Sequence, residues 1–217
     1  MKKLFGVITA MTTPFTREGN VDTDALKKQT EFLIQKRINC LYPCGTSGEM
    51  YLMSVEERKV VADTVVKAAA GRGVVFVHVG AMAQKDSIDL ARHAERIGAD
   101  GIAVVTPSYF HVSEREMIQY YRTICSQVSE DFPVYVYVIP QLAHNDISAE
   151  TLEKIAAECP NIVGVKYSYP DMRRINQYLR IRGGRVGLAD DAGRRAQSVA
   201  GHARSDALLL SVLKLQS

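Results

Sequence analysis

Lys166 closes the run Asn161-Ile162-Val163-Gly164-Val165, an unusual place for a charged side chain. In a parallel sheet such a run is buried on both faces, where an ammonium is costly to desolvate and the neutral amine, the form that attacks a ketone, is favoured. The plain alternative is a strand-end lysine whose stem packs while its head reaches water, and the local pattern leaves both readings open. A second feature is Gly45-Thr46-Ser47-Gly48-Glu49. Two glycines permit a tight turn with exposed N–H groups, and two adjacent hydroxyls can donate to a carboxylate, although an ordinary strand-to-helix turn has the same composition. A third is Tyr135-Val136-Tyr137-Val138-Ile139-Pro140. Strand alternation puts Tyr135 and Tyr137 on one side, where a phenol near the strand end can relay protons or simply pack.

The elements that must position these residues follow from periodicity. Short β-branched runs alternate with amphipathic segments, predicting strands at Gly6–Met11, Ile38–Cys44, Val74–Val79, Gly101–Val105, Pro133–Ile139 and Ile162–Lys166. Between them helices are expected over Asp22–Lys36, Ser54–Ala70, Asp86–Ile97, Ser113–Val128 and Ser148–Ala157. Asp22 reads as an N-cap, and the pairs Ser54/Glu57 and Ser113/Glu116 read as capping boxes. Continuous apolar strands point to a parallel sheet covered by helices, either a TIM barrel or a doubly wound sheet. Polar and Gly-rich signals after several different strands favour the α/β TIM (β/α)8 barrel, whose loops share one face. No GxGxxG or P-loop is present to support nucleotide binding.

Composition narrows the partners. The 217 residues carry a net charge of +3 with no dense basic run, so no nucleic acid or membrane partner is expected. Cys40, Cys44, Cys125 and Cys159 lack CxxC spacing and suit a reducing cytoplasm. Cys40 and Cys44 read as small core residues, with Cys44 able to border a pocket. The histidines at 78, 93, 111, 144 and 202 show no metal-ligand spacing, so they are taken as structural or surface residues and no metal site is expected. A single domain over 1–217 is the expectation, with residues 184–217 atypical. After residue 158 eight Arg and two Lys stand against four Asp and no Glu, and periodicity fades beyond Gly183.

Taken in order, Gly6-Val7-Ile8-Thr9-Ala10 with Thr13-Pro14-Phe15, Gly45 to Glu49, His78-Val79-Gly80-Ala81, Gly98-Ala99-Asp100-Gly101, Thr106-Pro107-Ser108-Tyr109, Tyr137 with Pro140, and Gly164-Val165-Lys166 resemble the class I pyruvate aldolase family that includes N-acetylneuraminate lyase and dihydrodipicolinate synthase. The resemblance covers residues 5 to 180. It implies a TIM barrel with a C-terminal helical extension, assembled as a homotetramer. It also implies that Lys166 is the Schiff-base lysine, that Thr46 and Ser47, beside Gly45, hold the carboxylate of the pyruvate moiety, and that Tyr137 shuttles protons. Tyr109 matches a tyrosine that reaches a neighbouring subunit's site and helps orient Tyr137. No cofactor is implied, because the imine itself is the electron sink.

For the substrate, the resemblance implies an arginine two residues after the proline of the tyrosine motif in synthases that use aspartate semialdehyde, and Leu142 stands there. Leu142, the His78 to Ala81 segment and Lys166-Tyr167-Ser168 look more like the sialic acid lyases, with Ser168 at a position that bonds sugar hydroxyls and Asp190 and Asp191 at those of an acidic pair. The expectation is therefore an N-acetylneuraminate lyase, with a dihydrodipicolinate synthase or another 2-keto acid aldolase of the family, or an inactive truncated member acting as a binding subunit, as alternatives. The family's eighth strand and helical extension are not recognisable in the sequence after Gly183. The barrel is therefore expected to be incomplete there, its end truncated or frame-shifted.

Overall fold

Most of the helices start where a side chain can satisfy the free N–H groups of the first turn. In the computed structural model, which describes residues 4–181 and 187–190, the Asp22 carboxylate accepts from the N–H groups of Asp24 and Ala25 and opens α1 (Thr23–Gln35). Full capping boxes open α2 (Val55–Ala69) at Ser54 with Glu57 and α4 (Glu114–Cys125) at Ser113 with Glu116. Ser148 caps α6 (Ala149–Glu158) by accepting from Thr151. α3 (Gln84–Arg96) begins without a side-chain cap, and Gly98 at φ +78° stands just beyond its end. Two short helices were not expected from the sequence: α5 (Pro140–Ala143) and α7 (Met172–Tyr178). Both are too short for a periodic signal to emerge.

Between the helices run β1 (Ile8–Ala10), β2 (Cys40–Tyr42), β3 (Val74–His78), β4 (Gly101–Val105), β5 (Val134–Val138), β6 (Ile162–Tyr167) and β7 (Gly187–Asp190). They form one sheet in sequence order, every neighbouring pair parallel. Alternate side chains divide into two layers. Outward residues such as Leu41, Val75, Val77, Ile102, Val104, Val136, Val138 and Val165 join Leu26, Val61, Leu90, Tyr121 and Ile155 of the helices in the main core. Inward residues Ile8, Cys40, Tyr42, Phe76, Ala103, Tyr135, Val163 and Ala189 come from all seven strands and still form one cluster. A flat sheet cannot bring its first and last strands into a common cluster, so the sheet curls, and the architecture is the expected TIM (β/α)8 barrel seen over seven strands. The sequence-predicted atypical segment 184–217 lies outside the described residues except for Gly187–Asp190, as does Asp191. Among the described residues no helix is long and apolar enough to cross a membrane.

One irregularity decides what faces the interior. Val134 pairs with Ile162 but Tyr135 pairs with Gly164, so β6 carries an extra residue, Val163, in a bulge. Beyond it Tyr137 pairs with Lys166, which places Lys166 on the inward face with Tyr137. Without the bulge Lys166 would stand opposite Val138, whose side chain belongs to the outer core.

Glycines make the interior fit around its aromatics. A Cβ on Gly164 would lie 2.2 Å from Tyr135 Cε1 and 2.7 Å from the Gly187 carbonyl oxygen. Gly164→Ala is therefore expected to lower stability by ~1–3 kcal/mol through overpacking. Gly73→Ala, whose nearest new contact is at 3.9 Å, should stay within ~0.5 kcal/mol of the parent. Urea unfolding midpoints of the two variants check this, and equal midpoints would refute the packing account.

Candidate active site

The inward layer ends in a polar group at the C-terminal mouth of the strands. Lys166 is 4% exposed, and its Nζ donates to Ser168 Oγ at 2.8 Å. The same Nζ lies 3.8 Å from the centre of the Tyr137 ring and 5.7 Å from that of Tyr42, within cation–π range of both. The hydroxyls of Tyr137 and Thr46 are 3.2 Å apart and hydrogen-bond. An amine, a phenol and the hydroxyl of a strand-end turn thus lie in one line across the mouth.

The turn is held by close backbone approach. Cys44, at φ +60°, reverses the chain after β2, and Thr46–Gly48 form a single 3-10 turn that ends at Glu49, φ +58°. A Cβ on Gly45 would meet the Tyr42 ring at 2.8 Å, and one on Gly48 would meet the Met11 carbonyl oxygen at 3.0 Å. Thr13 Oγ1 donates to the Gly48 carbonyl at 2.9 Å and ties the turn to the segment after β1. Gly45 and Gly48 are buried while Thr46 and Ser47 are exposed. The hydroxyl-bearing residues of the turn therefore face solvent, as does Glu49 at its end. The first N–H groups of such a turn have no acceptor inside it, so hydroxyls and amides together suit a carboxylate.

Arg58, which the sequence did not single out, and His78, to which it gave no role at the site, support this group from behind. Arg58 of α2 is 2% exposed, and its guanidinium donates to the carbonyls of His78 (2.8 Å) and Gly80 (2.9 Å) rather than to a carboxylate. Burial lowers the Arg58 pKa from its ordinary value. His78 Nδ1 lies 3.0 Å from the Cys44 carbonyl, so Nδ1 carries the hydrogen and donates. The end of β3 is thereby joined to the turn after β2. The His78 ring stands edge-on to Tyr137, with centroids 5.8 Å apart, and Tyr42 does the same at 6.4 Å, which fixes the plane of the phenol. In sequence Arg58 looks like any polar residue of an amphipathic helix, and only packing makes it a buried brace. His78 is structural, as expected, but it belongs to the wall of the site.

The other expected site residues divide between mouth and rim. Ser168 is 8% exposed and bonded to the lysine amine rather than open to solvent. Leu142, on α5, is 56% exposed, and its neighbour Gln141 donates to the Ser168 carbonyl at 2.8 Å. Tyr109 sits at φ +76° and is 71% exposed, its ring edge-on to Phe110 at 4.9 Å. Within this chain no contact joins Tyr109 to Tyr137 among the described residues. Asp190 ends β7 in register with Tyr167, one position past the Lys166–Ala189 pair. Cys44 is buried, its pKa pushed up to about 11 by desolvation, which fits a packing role rather than a nucleophile.

Complete burial, with Arg58 and then Lys166 as nearby positive charges, lowers the His78 pKa well below 6.5. Below pH ~6.5 the unfolded chain binds a proton at this residue that the native state refuses. The associated stability is therefore full above that pH and is lost as pH falls, by at most ~1.4 kcal/mol per unit. Unfolding free energies of the parent and of His78→Gln between pH 7.5 and 5 should show a shallower acid decline in the variant. Parallel curves would refute a neutral buried His78.

The dihydrodipicolinate synthetase family model matches residues 3–188, a span that contains every element described except the last two residues of β7. Among curated relatives, the 4-hydroxy-tetrahydrodipicolinate synthase of Aquifex aeolicus is 38% identical over 175 residues, covering 81% of this chain and 58% of that protein. The N-acetylneuraminate lyase of Danio rerio is 37% identical over 180 residues, covering 82% and 59%. The solved N-acetylneuraminate lyase of Proteus mirabilis superposes with a TM-score of 0.83 at 31% identity, over 87% of this chain and 64% of that one. The chain thus spans less than two thirds of the length of these relatives, and synthases and lyases resemble it equally. With the ordered motifs, the curled parallel sheet and the match over residues 3–188, this chain belongs to the dihydrodipicolinate synthetase family.

Proposed function

We propose that this chain carries Schiff-base chemistry on 2-keto acids, making or breaking a carbon–carbon bond between a pyruvate unit and an aldehyde. The observation that carries the reading is the buried Lys166 amine against the Tyr137 ring, with the Tyr137 hydroxyl reaching Thr46 of the exposed turn. In the cleavage direction the substrate carboxylate is held by Thr46 and Ser47 and the keto carbon lies at Lys166 Nζ. The amine adds to that carbon, water leaves, and the resulting imine withdraws electrons from the adjacent bond. Tyr137 takes the proton from the hydroxyl of the departing aldehyde carbon as the bond breaks. The enamine left behind is protonated at carbon, and hydrolysis returns pyruvate and the free amine. The amino acid side chains suffice for each step.

For the substrate, an N-acetylneuraminate-type 2-keto sugar acid is favoured. Leu142 provides no cation for an aldehyde that bears a carboxylate, and Ser168 offers a hydroxyl beside the amine. The 37% identity with a lyase agrees. A second reading, condensation of pyruvate with aspartate semialdehyde, is supported by the 38% identity with a synthase. In either reading Tyr109, exposed at the rim, is assigned to the site of a neighbouring copy in a homotetramer.

Pyruvate followed by borohydride should add about 72 Da to the peptide bearing Lys166, the mass of a reduced imine. Lys166→Ala should add none, and an unmodified lysine in the parent would point to an inert binding subunit. Tyr137→Phe should still form the adduct while losing ~10²–10⁴-fold in turnover. Pyruvate release from N-acetylneuraminate, read by coupled lactate dehydrogenase, tests the lyase choice. Adduct formation without that release, together with consumption of aspartate semialdehyde, would favour the second reading.

A further inference from the structure

Four cysteines are free and buried, but they differ in setting. Cys40 Sγ donates to the Phe5 carbonyl and Cys44 Sγ to the Arg58 carbonyl, and burial pushes each thiol up to about 11. These two are packed thiols with their protons committed. The other two meet at the opposite end of the barrel from Lys166. Cys125 is the last residue of α4 and Cys159 caps the C-terminus of α6. The two thiols are neighbours close enough to perturb each other's ionisation. Both line one cavity of about 270 Å³, together with Arg122, Glu158 and Asn161. The cavity gives a small reagent a route to sulfurs whose residues are otherwise 5% and 2% exposed.

We propose that Cys125 and Cys159 form a peroxide-sensitive dithiol that closes reversibly to a disulfide between the C-terminal ends of α4 and α6. The two sulfurs differ in setting: the neighbouring Cys125 thiol, with Arg122 adding to the effect, holds the Cys159 thiol below its ordinary pKa, while the Cys159 thiol and then burial hold Cys125 well above. Cys159 is the nucleophile. Its thiolate attacks the O–O bond of a hydroperoxide, taking one oxygen as a sulfenic acid while the other leaves as alcohol or water. The Cys125 thiol then attacks the sulfenic sulfur, the S–S bond forms and water is expelled, so that two thiols supply the two electrons that reduce one hydroperoxide. Asn161, whose side chain donates to the Cys125 carbonyl at 3.0 Å, keeps the end of α4 against the start of β6. The helix ends that carry the two sulfurs thus stay together over one cavity without any rearrangement of the sheet.

The test is to treat the intact protein with equimolar hydrogen peroxide at neutral pH and map its peptides without reductant. A Cys125–Cys159 cross-linked peptide is expected, about 2 Da lighter than the sum of its parts and restored by dithiothreitol. Cys40 and Cys44 should remain alkylatable after denaturation, having been oxidised at least ~10-fold more slowly. In Cys125→Ser the sulfenic acid should persist on Cys159 and be captured by dimedone. Recovery of all four thiols, preferential oxidation of Cys40 or Cys44, or a cross-link between any other pair would overturn the proposal. The parent map decides even if the variant does not fold, and it is independent of the reaction proposed for Lys166.

Discussion

The inserted residue in β6 is the constraint on which the site depends. Because side chains alternate along a strand, one extra residue exchanges the faces of everything that follows it. Val163 uses that exchange to turn Lys166 from the helix-packed layer into the barrel, opposite Tyr137. Local space makes the bulge possible, since Gly164 leaves room for the Tyr135 ring where a Cβ would collide with it. A tyrosine that fills the bottom of the barrel and a glycine two residues before the lysine are thus one packing unit, and the orientation of the amine is its product.

Above that unit, the mouth is rigid for reasons unrelated to apolar burial. Arg58 lies in the interior with carbonyl groups as its acceptors, an arrangement that satisfies a buried cation only if those carbonyls stay in place. The carbonyls are those of His78 and Gly80 at the end of β3, and His78 passes the restraint to Cys44 at the root of the turn. Thr46 is therefore held by a path that runs from a helix through two strand ends. The same His78 ring, with Tyr42, fixes the plane of Tyr137. Carboxylate turn and phenol share one support, and a disturbance at Arg58 reaches both.

The two ends of the barrel divide the work. At the mouth, Cys44, Glu49, Tyr109 and His144 have positive φ without being glycine, while at the lower end Arg37 and Ala70 do so where α1 and α2 stop. Such conformations cost of order 1 kcal/mol or more each and persist where surrounding packing over-determines them. The lower end also holds aromatics fitted to glycines, Phe76 against Gly101 and Tyr135 against Gly164, together with the Cys125–Cys159 pair. Polar groups at the mouth and dense packing below it separate the chemistry of the barrel from its scaffold.

What the sequence determined by itself is what short-range physics controls. Asp22, Ser54, Ser113 and Ser148 start helices because each satisfies N–H groups within three residues of itself. Apolar runs give parallel strands because only a sheet covered on both faces can bury them, and the ordered motifs of the family are local strings that can be read without coordinates. Lys166, Tyr137 and Thr46 were legible as candidates on those terms. Their meeting was not, because it depends on a register shift between β5 and β6 that periodicity does not reveal in a run as uniformly apolar as Ile162–Val165. Nor could the sequence show that Arg58 is buried, that Ser168 bonds the lysine amine, or that Tyr109 stands exposed. The burial of Arg58 depends on residues distant in the chain, whose contacts exist only once the sheet has curled, whereas the Ser168 bond spans two residues and depends on how the chain turns at the end of β6.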